Sequence, residues 1–205
     1  MQSEKIKKMC EEGFATHKAK LVQNTDRFLI IDWRRADGSS NYYVNYIVDK
    51  KRGSLIVSGD LGDSIATWYN ELNPSHLKQW IKNDIEYYIS KMQCASNLYF
   101  YDTSKIVSDI KQNLNHCDIE DVISANNKHG SYFVDTEEEL WEYVEDEITG
   151  CIYGSEFIPS EEIKKFCEEL DTDYWEWLYD CGKCIHTRVY LWADGFYKAC
   201  NQLGI

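Results

Sequence analysis

Cys181 and Cys184 form a Cys-x-x-Cys pair. The thiol is the most reactive side-chain group in the sequence, and two thiols at this spacing can act together. Two thiolates at this spacing can hold a zinc ion or cycle as a redox pair. A structural zinc site needs four ligands, however, and no second pair accompanies this one. A thioredoxin-like pair follows a strand, whereas this pair lies between predicted helices. We therefore interpret the pair as part of a turn and expect neither a metal nor a cofactor.

A glycine-rich loop at residues 58–64 contains two carboxylates, Asp60 and Asp63, and precedes a predicted helix. The backbone N–H groups of such a loop can cradle phosphate, and its carboxylates could instead hold Mg²⁺. The Lys–Ser/Thr pair of a phosphate-binding P-loop is missing, so we interpret the loop as a tight turn with a helix cap. A metal-dependent nucleotide or phosphoester hydrolase that uses these two carboxylates stays as an alternative function. No catalytic residue is assigned.

The predicted β-hairpins combine basic and aromatic side chains. Aromatic residues on a sheet can stack nucleic-acid bases. Charges at hairpin tips are more often simply solvated, so we do not expect direct nucleic-acid binding. A DNA-metabolism accessory protein that contacts nucleic acid here is a further alternative. The residues are Arg34, Arg35, Lys50, Lys51 and Arg52, with Trp33, Tyr42, Tyr43 and Tyr46 between them.

The charge of the chain is strongly asymmetric. Its formal net charge is −13, and residues 131–205 contain 18 acidic but only 5 basic side chains. Up to residue 130 the two signs cancel. Because nucleic-acid binding usually needs a basic stripe, this distribution favours a basic partner instead.

One short predicted helix concentrates this negative charge. Residues 137–147 contain seven acids and no lysine or arginine. Like charges four residues apart on a helix destabilise it by a few tenths of a kcal/mol per pair, and acids in the last turn oppose the helix dipole. A solvated acidic face is one interpretation, and a docking surface that imitates the phosphates of DNA is the other. The predicted partner-binding residues are Glu137, Glu138, Glu142, Glu145, Asp146, Glu168, Glu169 and Asp173.

The helices and strands that the sequence predicts around these side chains indicate an α+β fold. An N-terminal helix over residues 3–20 precedes strands at 27–34, 41–48 and 54–58, joined by short turn-rich connections. A three-stranded antiparallel sheet follows from this pattern. The C-terminal two-thirds is predicted to be mostly helical. Helices begin at Asn73-Pro74, at the Thr136–Glu139 capping box and at Ser160, and a last helix covers 187–203. After Asn73-Pro74, apolar residues at helical spacing form one stripe from Leu77 to Met92. Gly195 within that last helix indicates close packing.

The same features predict one domain over residues 1–205, with a possible division into a neutral part, 1–130, and an acidic helical part, 131–205. Eight dispersed cysteines without an export signal indicate reduced thiols in the cytoplasm. No apolar run is long enough to span a membrane. The oligomeric state does not follow from the sequence.

Three stretches, residues 58–63, 87–94 and 189–203, resemble small acidic proteins encoded by phages and prophages of Gram-positive bacteria. The size, acidity and aromatic content resemble phage anti-defence proteins, anti-CRISPRs among them. The resemblance implies a non-enzymatic inhibitor, whose acidic surface mimics DNA and occupies a basic nucleic-acid-handling host defence protein such as a CRISPR effector nuclease. It also implies the cytoplasm of a bacterial host cell, and under the nucleic-acid-binding alternative it implies a phage DNA-metabolism accessory protein. It carries no catalytic residue onto this sequence.

Overall fold

The computed structural model describes residues 4–205, which form an α+β protein. The elements, in chain order, are α1 (Glu4–Gly13), β1 (His17–Asn24), β2 (Phe28–Arg35), β3 (Val44–Asp49), β4 (Ser54–Gly59), β5 (Ser64–Thr67), α2 (Pro74–Asn83), α3 (Ile85–Ser90), β6 (Met92–Ala95), β7 (Tyr99–Tyr101), α4 (Thr103–Asn113), α5 (Ile119–His129), α6 (Glu137–Gly150), β8 (Ile152–Tyr153), β9 (Glu156–Phe157), α7 (Glu161–Leu170), β10 (Lys183–Ile185) and α8 (Thr187–Leu203). Two short 3₁₀ turns, Tyr174–Glu176 and Leu178–Asp180, follow α7. None of the helices in this described part is long and apolar enough to cross a membrane.

The main sheet has six strands in the order β1-β2-β3-β4-β5-β6, and every neighbouring pair is antiparallel. The three predicted strands are present as β2, β3 and β4. The prediction of a three-stranded sheet is nevertheless wrong, because β1, β5 and β6 extend it on both sides. Each added strand lies in a segment whose sequence we interpreted as helical or as a helix cap.

Strand β1 replaces the second half of the predicted N-terminal helix, which ends at Gly13 instead of residue 20. Lys18 and Lys20 alternate with Ala19, so the exposed lysines repeat every two residues, as in a strand, and not every three or four. Pairing with β2 over His17–Asn24 supplies the backbone hydrogen bonds that a continued helix would have made. These hydrogen bonds with β2 outweigh the helical preference of the sequence after Gly13.

The outer edge of β1 is protected by a side chain of α8. The amide of Gln202 accepts a hydrogen bond from the Ala19 backbone N–H (3.1 Å) and donates to the His17 carbonyl oxygen (3.2 Å). An unpaired strand edge is a template for association with other chains. Gln202 therefore imitates one residue of a neighbouring strand.

Strand β6 interrupts what the sequence suggested was one apolar helical stripe from residue 77 to residue 92. Asp84 has extended backbone angles (φ −134°, ψ 92°), which end α2, and its side chain accepts a hydrogen bond from the Tyr87 N–H to begin α3. The chain then leaves α3 at Lys91 and pairs with β5. The break is favoured because Asp caps a helix well and because the sheet offers Met92–Ala95 a partner.

The structure divides into two compact units. Residues 4–98 with His186–Ile205 form unit 1, and Tyr99–Ile185 form unit 2. Whether the chain acts as one domain stays a prediction.

Unit 1 buries one face of its six-stranded sheet under helices. Alternate residues of the central strands are fully buried, among them Leu29, Ile31 and Tyr46, as the period of two requires. The Tyr46 hydroxyl donates to the Trp192 carbonyl oxygen of α8 at 2.9 Å. A Cβ on Gly195 would lie 2.4 Å from that hydroxyl oxygen, so the predicted close packing at this glycine is confirmed.

Unit 2 is mostly helical and has its own apolar core. Helices α4, α5, α6 and α7 pack on one another, and two small two-stranded sheets, β7 with β10 and β8 with β9, lie among them. The predicted helix starts are confirmed: Thr136 and Glu139 form the capping box of α6, and the Ser160 side chain accepts from the Ile163 N–H at α7. The buried stripe of α6 is Leu140, Trp141, Val144 and Ile148.

Candidate partner-binding groove

The position of helix α6 is fixed at its N-terminus by a capping box and along its inner face by buried apolar residues. The Glu139 carboxylate accepts from the backbone N–H groups of Asp135 (3.0 Å) and Thr136 (3.3 Å). These hydrogen bonds lower the pKa of Glu139, with the Asp135 N–H as the largest cause. Glu139 is therefore a capping residue, and the remaining acids of α6 are left to face outward.

A groove between α4 and α6, hereafter the acidic groove, gathers four of the eight predicted partner-binding residues. Its volume is about 580 Å³. Helix α4 contributes one apolar and one basic residue, and α6 contributes the rest together with its cap. The lining residues are Val107, Lys111, Thr136, Glu137, Glu138, Trp141, Glu142 and Glu145.

Trp141 and Lys111 bring aromatic and cationic chemistry to this acidic groove. The Lys111 Nζ lies 4.7 Å from the centroid of the Trp141 ring, a cation–π arrangement. The indole is only 9% exposed, and its Nε1 has no hydrogen-bond partner within residues 4–205. The groove therefore has an aromatic residue already in contact with an ammonium group.

The glutamates of the acidic groove are not neutralised by neighbours. Among the ion pairs of the described residues, none within 4.0 Å involves Glu137, Glu138, Glu142 or Glu145. Lys111 is the single cationic residue that lines the groove. Three unit charges are thus left uncompensated there. Within one helix such repulsion is destabilising, and a bound cation would relieve it.

The other predicted partner-binding residues lie outside the acidic groove. Glu169, on α7, accepts from Lys128 (2.7 Å) and from the His129 ring (3.2 Å), and these two partners lower its pKa. It lines a separate hollow between α5 and α7. Glu168, Asp146 and Asp173 are exposed elsewhere on unit 2.

Acids of α7 and the following turn are mostly committed to partners within the chain. Glu161 pairs with Lys164, and Glu162 accepts from the Ser131 hydroxyl (2.6 Å) and the Tyr143 hydroxyl (3.1 Å). Asp171 accepts from the indole N–H of Trp177 at 2.9 Å. In their contacts these acids differ from the glutamates of the acidic groove, which form no ion pair within 4.0 Å among the described residues.

The Cys-x-x-Cys pair shows no sign of a reactive thiolate. Cys181 is buried and its thiol lies 3.5 Å from the Trp177 carbonyl oxygen. Burial raises its pKa to about 12, and burial also raises the pKa of Cys184. Among residues 4–205 no three His, Cys, Asp or Glu side chains form a group that could hold a metal ion. Cys181 lies in a turn, whereas Cys184 lies in β10 and pairs with Phe100 of β7, so the predicted turn includes Cys181 but not Cys184.

We expect alkylation of the native protein at pH 8 to distinguish these thiols. Cys94 is exposed in β6 and should react at least about tenfold faster than Cys181, because a neutral buried thiol is a poor nucleophile. Peptide mass spectrometry after timed iodoacetamide treatment gives the rates, and labelling in denaturant is the control. Equal native rates at Cys94 and Cys181 would contradict the structural interpretation.

The loop at residues 59–63 joins β4 to β5 and not to a helix, so the predicted helix cap there is wrong. The Asp60 carboxylate accepts from the Tyr42 N–H (2.9 Å), and Tyr42 has a left-handed backbone (φ 58°) that this bond helps to hold. The Asp63 N–H donates to the Ser96 hydroxyl at 3.0 Å. Gly62 has φ +87°, and a Cβ there would lie 2.6 Å from the Ser96 hydroxyl oxygen. These contacts favour the tight-turn interpretation over a metal site for a hydrolase.

Three of the basic residues at the hairpins have acidic partners. Arg35 lies 3.5 Å from Asp37, and Lys51 lies 2.9 Å from Glu71. Arg34 stacks over the Tyr43 ring at 4.5 Å and lies at the 4.0 Å limit of an ion pair with Asp32. Lys50 donates to the Asn24 side chain (3.0 Å) and, like Arg52, forms no ion pair within 4.0 Å among the described residues, so the positive charge is compensated at only part of the hairpins.

A buried ion-pair cluster in unit 1 is the charged feature that sequence reasoning missed. The Asp194 side chain is 5% exposed and pairs with Lys82 of α2 and, at 2.7 Å, with Lys198 of α8. Lys198 also donates to the Cys10 carbonyl oxygen at 2.9 Å. The signal for this cluster in the sequence was the i,i+4 spacing of Asp194 and Lys198. Lys82, the partner of Asp194 on α2, is more than a hundred residues away in sequence.

Of all these features, the acidic groove has the clearest chemical preference. Its carboxylates attract a cation, and its aromatic residue adds contact with a flat or methylene-bearing cationic group. Nothing in it resembles a set of catalytic groups with a base and a nucleophile in contact. The chain matches no protein-family model, no curated protein and no solved structure.

Proposed function

We propose that this protein is a non-enzymatic inhibitor that binds a basic, nucleic-acid-handling host defence protein through the acidic groove. The observation that supports the proposal is the set of four groove glutamates without an ion-pair partner among the described residues. Such a set costs the free protein repulsion that a basic partner would remove. A partner that normally binds DNA carries the complementary charge.

The charge of the whole chain assists this binding. With a net charge of −13, the protein attracts a basic surface from a distance, and the encounter is faster at low ionic strength. The short-range contacts at the groove then decide which surface is held. We therefore expect both a long-range contribution, common to all acids, and a local contribution from the groove.

A charge-matched pair of variants separates these two contributions. In the groove variant Glu137, Glu138, Glu142 and Glu145 are changed to Gln. In the control variant four exposed glutamates outside the groove, Glu86, Glu120, Glu156 and Glu176, are changed to Gln. Both variants carry the same net charge, so only the local charges differ.

We expect the groove variant to bind a fluorescein-labelled arginine-rich peptide at least about tenfold more weakly than the native protein, with a smaller dependence on salt. The control variant should change affinity by less than about threefold. Fluorescence anisotropy at 50 and 300 mM NaCl measures both. Equal losses in the two variants would mean that net charge alone is responsible, and no binding by the native protein would overturn the proposal.

The inhibitory part of the proposal needs a nucleic-acid competition experiment. A guide-loaded CRISPR effector nuclease is incubated with labelled target DNA and increasing amounts of the native protein or of the groove variant. Inhibition by the native protein that the groove variant lacks supports the proposal. DNA binding and cleavage unchanged by the native protein would exclude this class of partner.

A further inference from the structure

Trp141 differs from the glutamates of the groove because most of its side chain is buried. Only 9% of the residue is exposed, and the indole Nε1 is enclosed by the protein. The part of Trp141 that lines the groove is therefore the ring and not its N–H group. A ring held in this way offers a cationic group a flat contact surface in a fixed position.

Lys111 shows which kind of group the aromatic ring accepts. Its ammonium lies over the Trp141 ring at 4.7 Å and, among the described residues, makes no ion pair within 4.0 Å although four glutamates line the same groove. The lysine is exposed, so its side chain is free to leave the ring at little cost in packing. Lys111 is therefore positioned like a cationic ligand that the chain itself supplies.

An arginine from outside would be a better ligand for this position than the lysine. A guanidinium group is planar, stacks on an aromatic ring and is more weakly hydrated than an ammonium group. It can also donate two parallel hydrogen bonds to one carboxylate while its face contacts the ring. The acidic groove provides the ring and the carboxylates within one volume.

We propose that the acidic groove takes an arginine side chain of a basic peptide segment, which displaces Lys111 from the Trp141 ring. The guanidinium group stacks on the indole and donates to the groove glutamates. This inference rests on the proposed function and names the chemistry of the partner. Lys111 is a competitor for the site and limits binding to segments that can replace it.

Removal of the competitor gives the main test. The change Lys111→Gln should tighten binding of the labelled arginine-rich peptide about three- to tenfold, because the ring is then free and one positive charge is lost. The control change Lys165→Gln removes an equal charge at an exposed position of α7 and should alter affinity less than about twofold. A lysine-rich peptide of equal length should gain less from Lys111→Gln than the arginine-rich one.

A second measurement follows Trp141 directly. In ¹H–¹⁵N spectra of the full chain, the indole N–H signal that disappears in Trp141→Phe should shift when the arginine-rich peptide is added. If Trp141→Phe does not fold, selective ¹⁵N-tryptophan labelling with peptide titration still identifies a responding indole signal that Lys111→Gln also moves.

Failure of this inference is distinguishable from failure of the proposed function. If the native protein binds the arginine-rich peptide through the groove glutamates, but neither Lys111→Gln nor the indole signal responds, the inference is overturned and the proposed function stands. If no arginine-rich peptide binds the native protein at all, both are overturned.

Discussion

Replacing Asp194 by alanine is expected to lower the free energy of unfolding of unit 1 by about 2–4 kcal/mol. The Asp194 carboxylate is almost fully buried and compensates both Lys82 and Lys198. Removing one member of a buried ion-pair cluster leaves uncompensated charge and costs about 3–5 kcal/mol when all groups are buried. The two lysines are about one-third exposed, so solvent screening reduces the expected loss to about 2–4 kcal/mol.

Hydrogen exchange of the β2, β3 and β4 amides as a function of urea measures this change, because those strands form the centre of unit 1. The matched control is Glu71→Ala, which removes the exposed ion pair with Lys51 and should cost less than about 1 kcal/mol. Asp194→Asn keeps the size of the side chain and should retain most of the loss. If Asp194→Asn is as stable as the native protein, the cluster contributes packing and not charge compensation.

Replacing Gly53 by alanine is expected to lower the same free energy by about 2–5 kcal/mol, through two additive effects. Gly53 has φ +70°, in the left-handed region that side chains disfavour by about 1–2 kcal/mol. A Cβ at this position would also lie 1.9 Å from the Asn70 carbonyl oxygen, which is a backbone atom and cannot rotate away. Either the turn between β3 and β4, which contains Gly53, or the segment between β5 and α2, which contains Asn70, would have to shift.

Gly38 provides the matched control for this prediction. It also has a positive φ, +81°, but no heavy atom lies within 4 Å of a Cβ built on it. Gly38→Ala should therefore show only the backbone effect, about 1–2 kcal/mol. Equal losses at Gly38 and Gly53 would mean that the close approach of Asn70 is relieved without cost.

Local signals in the sequence predicted the parts of the fold that depend on residues within about one helical turn of each other. The capping box of α6 is one example, since Thr136 and Glu139 are three residues apart and bond reciprocally. The start of α2 at Asn73-Pro74 and the range of α8 are others. The concentration of negative charge after residue 130 is a property of composition and needs no fold.

Pairing between distant segments decided the rest. His17–Asn24 became a strand because β2 and Gln202 satisfy its backbone, and neither partner is visible from the local pattern. The four-residue strand β6 ended a helical stripe because β5 lay beside it. In each case a weak local preference was outweighed by hydrogen bonds that exist only after the chain has folded.

The acidic groove shows the same division between sequence and tertiary structure. The sequence by itself determined that α6 is a capped helix with a dense row of glutamates and a buried stripe that includes Trp141. Only the tertiary structure placed α4 beside it, and so brought Lys111 onto the Trp141 ring from thirty residues away. The tertiary structure also decided which acids have an ion-pair partner. Glu169 of α7 pairs with Lys128 of α5, whereas the groove glutamates form no ion pair within 4.0 Å among the described residues. Charge is fixed by composition, but its compensation depends on distances that only packing sets.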